Sequence, residues 1–256
     1  MKNVALITGA SSGIGRELAK IHAQSGGDLV IVARRIELLN ELKLELTKEF
    51  GIEIEVLQQD LTQKNAAQTI FKFTQEKNIK IAYLINNAGF GGHGLFIDRP
   101  IEKDIEMIQL NVLALVEITH LYLQEMRKNN FGKILNLAST AGFFPGPLQA
   151  TYFATKAFVI SFTRGLAQEL KSTNITITAL CPGPVKTEFS QVAGMENTKL
   201  FEHGVTAFKT AKKGYQAMMK GKIICISQAS LNFGIRFIVP FLPNSILAKI
   251  IEKAQA

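Results

Sequence analysis

The chain contains no tryptophan, only two cysteines and seven prolines in 256 residues. Cys181 and Cys225 are too few for a disulfide framework. Both lie in apolar, strand-like runs, where a cysteine reads as a small buried side chain in a reducing compartment. No cluster of cysteine and histidine has metal-ligand spacing, so no metal is expected. No stretch of 18 or more residues is continuously apolar, which argues against a membrane-spanning helix. The early run Val4–Ala5–Leu6–Ile7 is too short for a signal segment and leads into a glycine turn. It is expected to be a strand, and the protein is expected to be cytoplasmic. The net charge is +8, but lysines and arginines are scattered and form no basic block. Nucleic acid is therefore not an expected partner, and an anionic cofactor or substrate is the more economical use of the charge.

What the chain does have is alternation. Seven apolar runs read as strands: Lys2–Thr8, Asp28–Ala33, Glu53–Gln58, Ile81–Asn86, Lys133–Ala138, Thr176–Leu180 and Lys222–Ser227. Helical patterns of ten or more residues separate them. Buried strands alternating with helices imply a parallel sheet covered on both faces. The expected fold is α/β: one Rossmann-type, doubly wound parallel sheet of about seven strands, forming a single domain over residues 1–256.

Thr8–Gly9–Ala10–Ser11–Ser12–Gly13–Ile14–Gly15 follows the first strand and opens the first helix. Glycines there allow a tight turn and let backbone amides approach a pyrophosphate, at a helix end whose dipole favours anions. A glycine-rich turn alone is weak evidence, but its place between strand and helix strengthens it. An NAD site would put an acidic residue about 20 residues further on. Here Ala33 stands at that place, followed by Arg34 and Arg35. Losing the carboxylate and gaining a guanidinium favours a 2′-phosphate, so NADP(H) is expected over NAD(H), with Arg34 as the phosphate ligand. Asp60, after the third strand, can accept from an adenine amino group, cap a helix starting near Gln63, or do both. Asn86–Asn87–Ala88–Gly89, after the fourth strand, would let the backbone lie close to a ribose, or make an ordinary turn.

Tyr152 and Lys156 are four residues apart, on one face of a helix. An ammonium beside a phenol is expected to lower the phenol pKa and make it a usable acid and base. Alone, the pair reads more often as a half-buried tyrosine beside a solvated lysine.

Taken together these segments resemble the short-chain dehydrogenase/reductase family, in order and spacing, over residues 1 to about 190. The matching pieces are the Thr8–Gly15 turn, Asp60, Asn86–Gly89, Asn111, Ser139, Tyr152 with Lys156, and Pro182–Gly183 with Thr187. The Ala138–Pro147 and Ala179–Pro184 segments resemble a bacterial subgroup of mostly unassigned substrate, similar to 3-oxoacyl and hydroxysteroid reductases.

The resemblance implies that Tyr152 is the acid/base, that Lys156 lowers its pKa and binds the nicotinamide ribose, and that Ser139 holds the substrate oxygen. It implies that Asn111, a poor helix former inside the helical run Ile101–Lys128, distorts that helix and anchors a water leading from Lys156 to solvent. It also implies that Val185 fixes the carboxamide and Thr187 holds carboxamide or phosphate. Coenzyme contacts are thus expected from Gly9, Ser11, Ser12, Gly13, Ile14, Gly15, Arg34, Asp60, Leu61, Asn87, Ala88, Gly89, Tyr152, Lys156, Pro182, Gly183, Val185 and Thr187.

Residues 188–206 fall where the family has a substrate lid. Phe189, Met195, Leu200 and Phe201 in that segment, with Phe90, Phe143 and Phe144, are candidates for an apolar substrate cleft, and each also fits a plain core role. His93 and His203 sit in the flanking loops and read as candidate substrate contacts or as exposed loop histidines; His22 and His120 read as packing or surface residues. The segment 230–256 is apolar but broken by Pro240 and Pro243. In order of preference it packs on the domain, forms a subunit interface or lies on a membrane surface. The expected function is NADPH-dependent interconversion of a carbonyl and an alcohol, on a lipophilic ketone or 3-oxoacyl substrate, by a homodimer or homotetramer. The alternative is a non-catalytic NADP(H)-binding redox sensor or scaffold.

Overall fold

The computed structural model describes residues 1–196, 198, 201 and 204–255. Leu200 and His203 lie outside the described residues. Seven strands form one parallel sheet: β1 (Val4–Thr8), β2 (Leu29–Ala33), β3 (Ile54–Gln58), β4 (Ile81–Asn86), β5 (Gly132–Leu137), β6 (Ile175–Cys181) and, after two short strands met below, β9 (Ile224–Ile226). Their order across the sheet is β3-β2-β1-β4-β5-β6-β9. The direction of winding reverses between β1 and β4. In an open α/β sheet this is where a crevice opens beyond the carboxyl ends of the strands.

The strands are apolar because both faces are covered. Ala5 and Ile7 of β1, with Leu29, Ile31 and Ala33 of β2, face one core, which helices α1 (Gly13–Gln24), α2 (Ile36–Phe50) and α8 (Ala207–Met219) close. Val4, Leu6, Val30 and Val32 face the other, closed by α3 (Ala66–Glu76) and α5 (Leu115–Lys128). Each fully buried Leu or Ile contributes about 1.5–3 kcal/mol. The period-2 alternation therefore sets which side chains meet which helix.

Several boundaries differ from the sequence reading, each for a local reason. The first strand begins at Val4, because Asn3 takes a positive φ of 50°. Helix α3 begins at Ala66, well past Gln63, since Asn65 is left-handed (φ 62°). Asp60 meanwhile closes a turn, accepting from the backbone N and the hydroxyl of Thr62 at 2.9 and 2.8 Å. The helical run Ile101–Lys128 is not uniform: α4 (Ile101–Ile108) passes into a π-helical segment, Gln109–Ala114, before α5. Among the described residues this run is the one long and apolar enough to cross a membrane, but Ala114, Ile118, Tyr122 and Met126 are buried in the second core. A small ladder, β7 (Val185–Lys186) with β8 (Val205–Thr206), was not expected. The C-terminal segment forms α9 (Ala229–Phe237), a 3₁₀ turn at Val239–Phe241 and α10 (Asn244–Gln255). It packs only in part: Leu247 is buried, while Phe233, Phe237 and Phe241 are exposed.

Candidate active site

The crevice at the ends of β1 and β4 is built from glycines and one asparagine. Gly9 has φ +66°, and a Cβ there would lie 2.9 Å from the Ala88 Cα, so only glycine fits between the two strand ends. Asn87 ties the strands together. Its Nδ2 donates to the carbonyls of Thr8 and Gly9 at 2.9 and 3.1 Å, while the Thr8 hydroxyl accepts from the amides of Asn87 and Ala88 at 3.0 and 3.1 Å. Gly13 (φ +55°), Ile14 and Gly15 open α1, whose first turn holds no acidic residue of its own. Leu61 and Ala88 line a small crevice there with Thr8, Asn86 and Leu110. The turn thus has the narrow backbone cradle that a dinucleotide phosphate requires.

Asn111, Ser139, Tyr152 and Lys156 gather beyond β4 and β5, all buried at 8% exposure or less. Asn111 sits in the π-helical segment. Its amide clamps the loop after β4, accepting from the Phe90 backbone N at 3.1 Å and donating to the Phe90 carbonyl at 2.9 Å. It also donates to the Thr155 hydroxyl at 3.2 Å, and Thr155 donates to the Tyr152 carbonyl at 2.7 Å, so α6 (Ala150–Glu169) is held against the same loop. Ser139 caps a 3₁₀ turn, accepting from the Ala141 backbone N at 3.1 Å and donating to the Pro182 carbonyl at 3.4 Å. Lys156 Nζ donates to the Leu137 carbonyl at 2.9 Å and stands 5.7 Å from the centre of the Tyr152 ring.

Within the chain alone, burial acts on the tyrosine in the direction opposite to the expected acidification. Loss of water pushes the Tyr152 phenol up to about 12, against the opposing pull of the Ser139 hydroxyl. The same cause brings the Lys156 ammonium down to about 8. Both shifts have the same physical cause, the loss of water around two side chains that the chain's own groups enclose.

The apolar candidates divide. Phe90, Phe144 and Phe189 pack with Met107, Ala141, Tyr152 and Phe153, and Ile251 of α10 joins them. Phe189 lies 5.4 Å from the Tyr152 ring. Phe143 packs instead in a separate cluster with Ala138 and Val159, under the Arg164 guanidinium. The His93 carbonyl accepts from Arg99, and its buried Nε2 has no partner among the described residues.

The turn after β6 is clamped from the far side. Gln228 accepts from the Gly183 backbone N at 2.7 Å and donates to the Pro184 carbonyl at 3.2 Å, next to buried Val185. Thr187 touches the Gly13 position and accepts from the Phe189 backbone N at 3.2 Å. Sequence reasoning passed over Gln228. Arg34, the expected phosphate ligand, and Arg35 are both exposed, and the Arg35 guanidinium reaches the Ser11 and Ser12 hydroxyls at 3.3 and 2.9 Å. Strand parity carries that signal: Arg35 continues the alternation of Leu29, Ile31 and Ala33, which face α1.

A reversing parallel sheet with a glycine cradle at its switch point defines a Rossmann-type nucleotide-binding protein. Comparison with known sequences is narrower: the short chain dehydrogenase family model matches residues 3–198. The chain belongs to that family of oxidoreductases, which act on alcohols and carbonyls with a nicotinamide cofactor. It is 30% identical over 255 residues to a very-long-chain 3-oxoacyl-CoA reductase of Anas platyrhynchos, covering 98% of this chain and 79% of that one. Among solved structures it is similar to a short-chain dehydrogenase from Sphingobium yanoikuyae in complex with NADPH, with TM-score 0.83, 29% identity and 94% and 97% of the two chains covered. It shares its fold, at TM-score 0.83 and 23% identity over 91% and 92% of the chains, with a Burkholderia phymatum member in complex with NAD.

Proposed function

We propose that this chain reduces a lipophilic ketone or a 3-oxoacyl compound with NADPH, or runs the reverse oxidation. The observation that carries the reading is the position of Tyr152: its ring meets Phe153 and Phe189 in an apolar cluster that Phe90, Phe144 and Ile251 join, and Ser139 and Lys156 stand beside it. The glycine turn, where Gly9 lets the end of β1 approach the Ala88 backbone more closely than a Cβ would allow, supports a dinucleotide at this strand–helix junction. When bound, the coenzyme supplies a hydride to the carbonyl carbon. Ser139 holds the carbonyl oxygen, and Tyr152 Oη delivers a proton to it. Lys156 stabilises the resulting phenolate and leads the replacement proton inward, with Asn111 holding the loop that frames this path. In the oxidative direction the tyrosine takes the proton from the alcohol.

Apolar walls favour an apolar substrate, and the name of the Anas relative agrees with a long acyl chain. Residues 188–206 would serve as the lid, with Phe189 at its hinge. For the coenzyme, two arginines in place of a carboxylate favour a 2′-phosphate; the guanidinium of Arg35 beside Ser11 and Ser12 makes it the first candidate ligand, ahead of Arg34. A homodimer or homotetramer agrees with the exposed apolar side chains of Ile101 and Ile105 on α4 and Phe158 on α6.

The test is NADPH oxidation across carbonyl compounds of increasing acyl length. kcat/KM should climb with length; a flat profile would overturn the lipophilic assignment. With NADPH and NADH compared, Arg35→Asp should weaken NADPH far more than NADH, and equal losses would remove the 2′-phosphate reading.

A further inference from the structure

The mouth of the glycine turn is crossed by a contact that no catalytic role explains. Glu188, the residue after Thr187, places its carboxylate against Arg35 and Ser12. Arg35 donates from both terminal nitrogens, Nη1 to Oε1 at 3.3 Å and Nη2 to Oε2 at 2.8 Å. Ser12 donates its hydroxyl to Oε2 at 2.9 Å. The partners are 153 and 176 residues from Glu188 in sequence, so this contact is a property of the tertiary fold.

The donor set is that of a phosphate seat. A two-pronged guanidinium, a serine hydroxyl and the start of a helix with no acidic residue in its first turn all favour an oxyanion. The carboxylate is held in its charged form, its pKa lowered chiefly by the Arg35 hydrogen bond and further by Ser12. Thr187 also lies against Gly13, so residues 187 and 188 together cover the glycine turn. The next residue, Phe189, leans on the Tyr152 ring.

We propose that Glu188 is a specificity-determining residue for the coenzyme, an internal carboxylate that holds the Arg35–Ser12 seat until a nucleotide phosphate displaces it. This rests on the reading of Arg35 as the 2′-phosphate ligand. A 2′-hydroxyl is neutral and cannot exchange for a carboxylate on a guanidinium. A 2′-phosphate, with more charge and three oxygens, can. Glu188 therefore lowers affinity for the phosphorylated coenzyme specifically. Its release also frees the chain beside Phe189, which links coenzyme binding to the wall of the substrate cleft.

The experiment compares 2′,5′-ADP with 5′-AMP, and NADPH with NADH, by titration calorimetry on the wild type, Glu188→Gln and Arg35→Gln. Both side chains are about half exposed, so the variants should fold, and thermal melts check this. An exposed ion pair is worth at most about 1 kcal/mol, so Glu188→Gln should tighten 2′,5′-ADP and NADPH by roughly two- to fivefold and leave 5′-AMP and NADH unchanged. Arg35→Gln should weaken only the 2′-phosphate ligands. If Arg35→Gln weakens them and Glu188→Gln leaves them unchanged or weaker, the competitor role is wrong and the phosphate seat stands. If Arg35→Gln does not distinguish the ligands, the phosphate seat is wrong and the proposal falls with it. Equal tightening of all four ligands by Glu188→Gln would mean general charge relief, which also refutes it.

Discussion

Replacing Lys156 by Met exchanges a buried ammonium for an apolar side chain of similar length. Burial lowers the Lys156 pKa from an ordinary 10.5 to about 8. At ~1.4 kcal/mol per pH unit, that drop costs the folded state about 3 kcal/mol at neutral pH, where the lysine is charged folded and unfolded alike. The substitution also removes the 2.9 Å hydrogen bond to the Leu137 carbonyl, and a buried acceptor left alone costs about 1–2 kcal/mol. The balance is a gain of about 1–2 kcal/mol in stability at neutral pH, together with loss of turnover. The penalty depends on pH in a definite direction. The folded pKa lies below the unfolded one, so the wild type carries its full penalty below about pH 8 and sheds it as pH rises toward 10.5. The advantage of Lys156→Met should shrink across that window and end as a deficit set by the lost hydrogen bond. Urea midpoints of both proteins, measured from neutral to alkaline pH, check this. A variant less stable by the same amount at every pH would show that the ammonium carries no burial cost, and the reasoning about this site would be wrong.

Three other outcomes follow from particular residues. His22 is buried between the Tyr215 hydroxyl at 2.9 Å and the Asn3 carbonyl at 2.8 Å, and burial lowers its pKa from 6.5. Stability should therefore fall as pH drops below 6.5, and His22→Gln should flatten the slope of urea midpoint against pH in that window. Gly9→Ala forces a side chain into a φ of +66° against the Ala88 backbone, so it should cost about 1–3 kcal/mol in melting experiments and lose coenzyme affinity. Gly13→Val, with φ +55° and the Thr187 side chain 3.2 Å from its Cβ position, should abolish NADPH binding by fluorescence titration.

Much of this fold could be read from apolar alternation, because parallel strands buried on both faces carry a local signal. All seven strands of the large sheet lie within one or two residues of their expected ends. Asn111 was legible for a related reason. A poor helix former between Leu110 and Val112 needed an explanation, and the π-helical segment supplies one. What could not be read is what depends on distant partners. The β7–β8 ladder joins residues 20 positions apart in two-residue strands, too short to show a period. The hold of Gln228 on Gly183 and of Glu188 on Arg35 exists only once the sheet is assembled. The reach of Arg35 toward Ser11 and Ser12 follows strand parity, which a reading by charge alone leaves out. The burial that raises the Tyr152 pKa among the chain's own groups was also not legible, because sequence spacing gives distance along a helix but says nothing of how dry the helix face becomes.

The most direct test of the central claim is the rate of NADPH oxidation with a saturating lipophilic ketone, wild type against Tyr152→Phe, with coenzyme affinity measured in parallel. Removing the hydroxyl proposed to hand a proton to the substrate should cut turnover by about 10²–10⁴-fold and leave NADPH binding within a factor of about two. Equal turnover by the two proteins would contradict the account, because it would mean that another group, such as the Lys156 ammonium or the Ser139 hydroxyl, supplies the proton.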